Sequence, residues 1–141
     1  MCIKKDARRM KAMALNEQNY VETAEKVILQ LKDMKDKNKS IPMVTTSKVR
    51  NLLAMAADIY NEIMLSKDEK LSEEICSRIE YLKVRFLYEA GREPAVKNLV
   101  EKADLLSVLK NIKGSKKNYI LFYHYMEAII AYHRFYGGRD E

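Results

Sequence analysis

The residues best placed to do chemistry lie between positions 78 and 92, and the chemistry is binding. Arg78, Tyr81, Arg85, Tyr88 and Arg92 follow one another at spacings of three, four, three and four. At about 100° per residue that spacing sets them in one line along a helix. Guanidinium forks grip phosphate oxygens, and a phenol ring offers a flat face for a base or an apolar neighbour. Leu71, Ile75, Ile79, Leu82, Phe86 and Ala90 fall on another face of the same helix, about 120° round, and form a core stripe. A solvated flank more often mixes Lys with Glu and seldom interleaves tyrosines. An ordinary helix with snorkelling arginines and core-propping tyrosines accounts for the same stretch.

A second set gathers at a helix start. Thr45, Thr46, Ser47, Lys48 and Arg50 put hydroxyls and cations where free N–H groups and the helix dipole already favour an anion. A plain N-cap with two surface cations has the same composition. Lys116, Lys117, Tyr123 and Arg134 make a looser basic set on the last helix and the loop before it.

Catalysis has no comparable support. His124 and His133, the chain's only histidines, are nine residues apart, about 180° round one helix, and cannot share a metal or a proton. No CxxC, HExxH, Gly-rich phosphate loop or nucleophile elbow occurs. The carboxylates mostly stand at helical spacing from Lys or Arg, as on a solvated surface. The expectation is a protein that is not an enzyme, with no catalytic residue, no metal and no cofactor.

Helices must position these groups. Only 4 glycines and 2 prolines punctuate 141 residues, too few for a turn-rich β fold. A chain that is 48 % hydrophobic and 33 % charged is globular. Tyr20, Ala24, Val27, Ile28, Leu31 and Met34 give a first helical stripe, which ends in the polar tract before Ile41-Pro42. The next helix, capped by Thr46 or Ser47, buries Val49, Leu52, Leu53, Ala56, Ile59, Tyr60 and Ile63. The ladder helix is expected from about Leu71 to Ala90, with Gly91 placed for a left-handed stop. Pro94 opens a helix carrying Val96, Leu99, Val100 and Ala103. Asp104 can restart it, with Leu105, Val108 and Leu109 on a new face. Residues 111–118 read as a loop with Ser115 as a cap. The last helix carries Tyr119, Phe122, Met126, Ile129, Ile130 and His133 up to Gly137-Gly138.

The expected fold is all-α, a compact bundle of five helices, or six if Asp104 breaks one. Residues 16–141 form a single domain, behind a basic arm or helix extension over residues 1–15. Cys2 and Cys76 suggest no disulfide framework, and Cys76 reads as a buried free thiol. No signal segment or membrane span is expected, because His124, Glu127, His133 and Arg134 interrupt the most apolar run. A cytoplasmic protein follows. Its formal charge of +6 and pI near 9.2 lean toward a polyanionic partner.

Three segments in order, TTSKVRNLL, YLKVRFLYEAGRE and YMEAIIAYHRFYGGRD, resemble the small subunit of type III-A CRISPR–Cas effector (Csm) complexes. The resemblance covers roughly Asn19 to the C-terminus, and the basic extension before Asn19 is outside it. It implies an all-helical bundle without catalytic activity. It also implies several copies of the subunit, stacked beside repeat-type backbone subunits that hold the guide RNA. Those copies would line the groove where target RNA pairs with the guide and abut the large polymerase/nuclease subunit. By position, Lys48, Arg50, Arg78, Arg85 and Arg92 become the family-like basic residues. With the looser Lys116, Lys117 and Arg134 they make up the expected RNA-binding set. Two other readings stay open on the residues themselves. One is a stand-alone helix-turn-helix regulator. The other is an adaptor whose tyrosine-rich face binds protein only.

Overall fold

The longest helices start where a hydroxyl accepts from one of their free N–H groups. The computed structural model describes residues 15–138. Within them stand six helices: α1 (Tyr20–Lys37), α2 (Thr46–Leu65), α3 (Glu73–Arg92), α4 (Pro94–Lys102), α5 (Leu105–Lys110) and α6 (Lys116–Phe135). The three longest are capped by Thr45, Ser72 and Ser115, whose oxygens accept from Lys48, Ile75 and Asn118 N–H at 3.3, 3.2 and 3.3 Å. Apart from Leu15, which packs against the core, the expected N-terminal arm lies outside the described residues.

Three expectations shift. Thr45 caps α2, not Thr46 or Ser47, because Thr46 is fully buried and engaged elsewhere. Gly91 does not stop α3; it lies inside the helix, outside the set of positive-φ glycines. The stop falls at Glu93, extended at φ −133° and ψ 121°, since the proline after it disfavours helical backbone there. Residues 116–118 belong to α6, not to the loop, and Ser115 is its cap. Asp104 does break the helix: its φ of 55° turns the chain between α4 and α5.

The helices close a circuit. α6 packs on α1 and α2, α2 on α3, α3 on α4, and α4 returns to α1, while α5 reaches α3, α4 and α6. The core stripe of α3 is buried as its periodicity requires, with Ile75, Ile79, Leu82, Phe86 and Ala90 inside. Phe86 meets Phe122 of α6 with ring centroids 6.2 Å apart. Cys76 is a free thiol but only half-buried.

Among the described residues, every buried polar side-chain atom has a hydrogen-bond partner. His133 is fully buried, with Nε2 2.6 Å from the Val44 carbonyl and Nδ1 3.2 Å from Thr46 Oγ1. A carbonyl can only accept, so Nε2 carries a proton and donates to Val44; in the neutral ring Nδ1 then accepts from the Thr46 hydroxyl. The pair ties the end of α6 to the start of α2. A Cβ at Gly138 would collide with the His133 ring, so glycine is required there.

Tyr119 and Tyr125 donate to the carbonyls of Ala56 and Ala103 at 2.7 and 2.9 Å. Burial holds both phenols well above the ordinary tyrosine range; Tyr123 adds to this at Tyr119 and Asp104 at Tyr125, while Arg78 opposes it at Tyr119. In the unfolded chain they ionise near about pH 10. Above that pH the folded state holds more protons than the unfolded one, so stability is intact below it and falls as pH rises past it. Denaturant titrations should therefore show an alkaline loss that shrinks when Tyr119→Phe and Tyr125→Phe are combined. An identical loss in the double variant would contradict the assignment.

Candidate nucleic-acid interface

The ladder is built by antiparallel packing of α2 and α3. Lys48, in the first turn of α2, pairs with Glu93 just past α3, and Glu62 late in α2 pairs with Arg78 early in α3. Between them runs one groove made of two adjoining depressions that share Met55 and Arg85. Leu52, Met55, Ile59 and Leu82 give it an apolar floor. Along its walls stand Lys48, Asn51 and Asp58 from α2, and Arg78, Tyr81, Arg85, Glu89 and Arg92 from α3. From Arg78 to Arg92 is about 21 Å along the helix axis.

Each of these cations has a carboxylate neighbour. Beyond Lys48–Glu93 and Arg78–Glu62, Arg85 lies 3.6 Å and Arg92 3.9 Å from Glu89. Arg85 also sits over the Tyr88 ring, 5.5 Å from its centroid. Lys48, Arg78, Arg85 and Arg92 therefore face Asp58, Glu62, Glu89 and Glu93, and the groove is close to charge-balanced. The cations remain reachable: side-chain exposure is 40 % for Lys48, 37 % for Arg78, 40 % for Arg85 and 59 % for Arg92. The exposed Arg78–Glu62 pair contributes about 0–1 kcal/mol, so a phosphate can replace that carboxylate at little cost.

The other expected residues lie elsewhere. Two positions after Lys48, hence about 200° round α2, Arg50 is exposed on the flank turned away from α3. Lys116 donates to the Ser66 carbonyl and Lys117 lies 3.9 Å from Glu17. Both sit at the Ser66 end of α2, some 27 Å along that helix from Lys48. There they border a separate depression with Tyr20, Glu69, Ile120, Leu121 and His124. Arg134 is exposed in the last turn of α6, at the opposite end of that helix. The hydroxyls at the start of α2 serve the fold, Thr45 as cap and Thr46 as partner of His133.

Sequence reasoning missed a ridge beside the ladder. Tyr81, Val84, Leu87 and Tyr88 are 64 %, 54 %, 50 % and 58 % exposed, on the side of α3 opposite its core face. Their spacing carried the signal, but the arginines drew the tyrosines into a single polar stripe. The counter-charges Glu62 and Glu93 come from other elements, and no helical spacing announces them.

Among the described residues no group of three His, Cys, Asp or Glu side chains could hold a metal ion. No helix among them is long and apolar enough to cross a membrane. The family model for Csm2 Type III-A matches residues 18–139. The chain is 44 % identical over 126 residues to the CRISPR system Cms protein Csm2 of Streptococcus thermophilus, spanning 89 % of this chain and 98 % of that protein. It is 41 % identical over 124 residues to the protein of that name from Enterococcus italicus, spanning 83 % and 89 %. For the Mycobacterium tuberculosis protein of that name the identity is 36 % over 129 residues, spanning 92 % and 100 %.

Proposed function

The chain belongs to the Csm2 family of type III-A CRISPR systems, and from that premise we propose that it is a non-catalytic, cytoplasmic small subunit that holds target RNA in the α2–α3 groove. Several copies stack along the backbone subunits that carry the guide, next to the large polymerase/nuclease subunit. The observation that carries this reading is the convergence of Lys48, Arg78, Arg85 and Arg92 on one groove. Phosphate contacts are what dominate affinity for nucleic acid, and these four are reachable. The groove's cations contact the phosphates of the strand, so guide pairing supplies sequence choice and the subunit supplies affinity. The exposed Tyr81–Val84–Leu87–Tyr88 ridge favours a second contact, to protein: Val and Leu side chains gain from burial against a neighbouring subunit, not against phosphate. Arg50, Lys116, Lys117 and Arg134 enter this reading as weaker, peripheral contacts.

The test is a filter-binding titration of the isolated protein on unrelated single-stranded RNAs at several salt concentrations. Weak, sequence-indifferent binding is expected, with a log–log salt slope of roughly −2 to −3.5, for about 3–5 contacts at ~0.7 each. Tight, sequence-selective binding with a flat salt response would defeat the reading.

A further inference from the structure

Glu89 differs from the other groove carboxylates in two ways. It serves two cations: Oε1 is 3.6 Å from Nη2 of Arg85, and Oε2 is 3.9 Å from Nη1 of Arg92. Glu62 and Glu93 serve one each. It is also the least exposed, with 15 % of its side chain accessible, against 50 % for Glu62 and 28 % for Glu93. The anion is thus the half-buried member of the trio, while both guanidinium groups reach solvent.

We propose that Glu89 is a built-in competitor for phosphate, an intramolecular carboxylate that occupies Arg85 and Arg92 and holds down the groove's affinity for RNA. This rests on the reading of the groove as RNA-facing. When the arginines turn to phosphates, Glu89 loses its partners and its charge faces the incoming anions. Its packing limits its retreat into water, so the repulsion is not relieved. Low intrinsic affinity then leaves occupancy to the effective concentration supplied inside the complex, where guide pairing has already placed the strand. Free subunit is kept off unrelated RNA.

Glu89→Gln keeps the shape and an accepting oxygen while removing the charge. Filter binding of the isolated protein to single-stranded RNA should tighten roughly three- to tenfold at low salt. The log–log salt slope should stay within about −2 to −3.5, because Arg85 and Arg92 already count among its contacts, so the gain reads as tighter binding at each salt concentration. Glu80→Gln, on the same helix and 72 % exposed with Lys83 at 3.4 Å, is the control and should leave the affinity unchanged. Thermal melting of both variants checks that neither effect reflects folding. Unchanged or weaker binding by Glu89→Gln overturns the proposal, because the carboxylate then only orders the arginines or does nothing. Arg85→Ala with Arg92→Ala separates the two levels of failure. If that pair weakens binding but Glu89→Gln does not tighten it, the competitor idea falls alone. If the pair has no effect, the RNA-facing groove and its competitor fall together.

Discussion

Phe86→Ala should destabilise the protein by ~3–5 kcal/mol, while Tyr88→Ala, two residues further along α3, should change stability by less than ~0.5 kcal/mol. Phe86 is fully buried and meets Phe122, so its removal forfeits transfer energy and leaves a void that α3 and α6 cannot close. Tyr88 is 58 % exposed on the outer ridge, and alanine is the better helix former. A domain of this size has ~5–15 kcal/mol of stability in all, so Phe86→Leu is the milder companion if the alanine variant does not fold. Urea titrations monitored by helical circular dichroism give each difference. Equal losses at the two positions would mean that α3 turns a different face to the core.

Reversing Arg78, Arg85 and Arg92 to Glu together is the second large effect. Three contacts at ~0.7 each would take about 2 units from the salt slope, which is most of the slope expected of the isolated protein. Binding should fall at least ~10-fold, with the reversed charges repelling phosphate as well. The fold should tolerate this. The Arg78–Glu62 pair is exposed and contributes about 0–1 kcal/mol, and each carboxylate introduced three or four residues from Glu89 costs only about 0.2–0.5 kcal/mol by like-charge repulsion. A melting temperature within a few degrees of the parent, with unchanged RNA binding, would remove the groove from consideration. A collapse of melting temperature would instead make the arginines structural partners.

How far all this was readable in the chain differs from one residue to the next. The burial of Ile75, Ile79, Leu82 and Phe86 followed from a 3.6-residue period, because a helix can turn only one stripe to a core. Asp104 as a break, Pro94 as a start and Ser115 as a cap were likewise local. The cap of α2 was not decidable locally, with hydroxyls at 45, 46 and 47; His133, 87 residues away from Thr46, takes one of them out of the choice. Gly91 misled because a left-handed stop is only one use of glycine, and the conformational demand of Pro94 on Glu93 set the boundary instead.

The ladder itself was legible as a line on one helix. Its cross-helix partners were not: Glu62 is 16 residues from Arg78, and Glu93 is 45 from Lys48. A count of cations therefore predicts a basic face where the groove is near balance. The same limit separates Lys116 and Lys117 from Lys48, since only the packing of α6 against α2 decides which ends meet.

The central claim, that the α2–α3 groove touches target RNA, is tested most directly by photocross-linking in the assembled complex. Target RNA carrying 4-thiouridine across the guide-paired region is irradiated on the purified assembly, and the cross-linked peptides of this subunit are mapped by mass spectrometry. The predicted peptides contain Tyr81, Arg85 or Arg92 of α3 or the facing residues 48–58 of α2, and they vanish when the guide is mismatched so that no target binds. Cross-links confined to the Tyr20–Lys117–His124 side, or absent from this subunit while the backbone subunits are labelled, would contradict it.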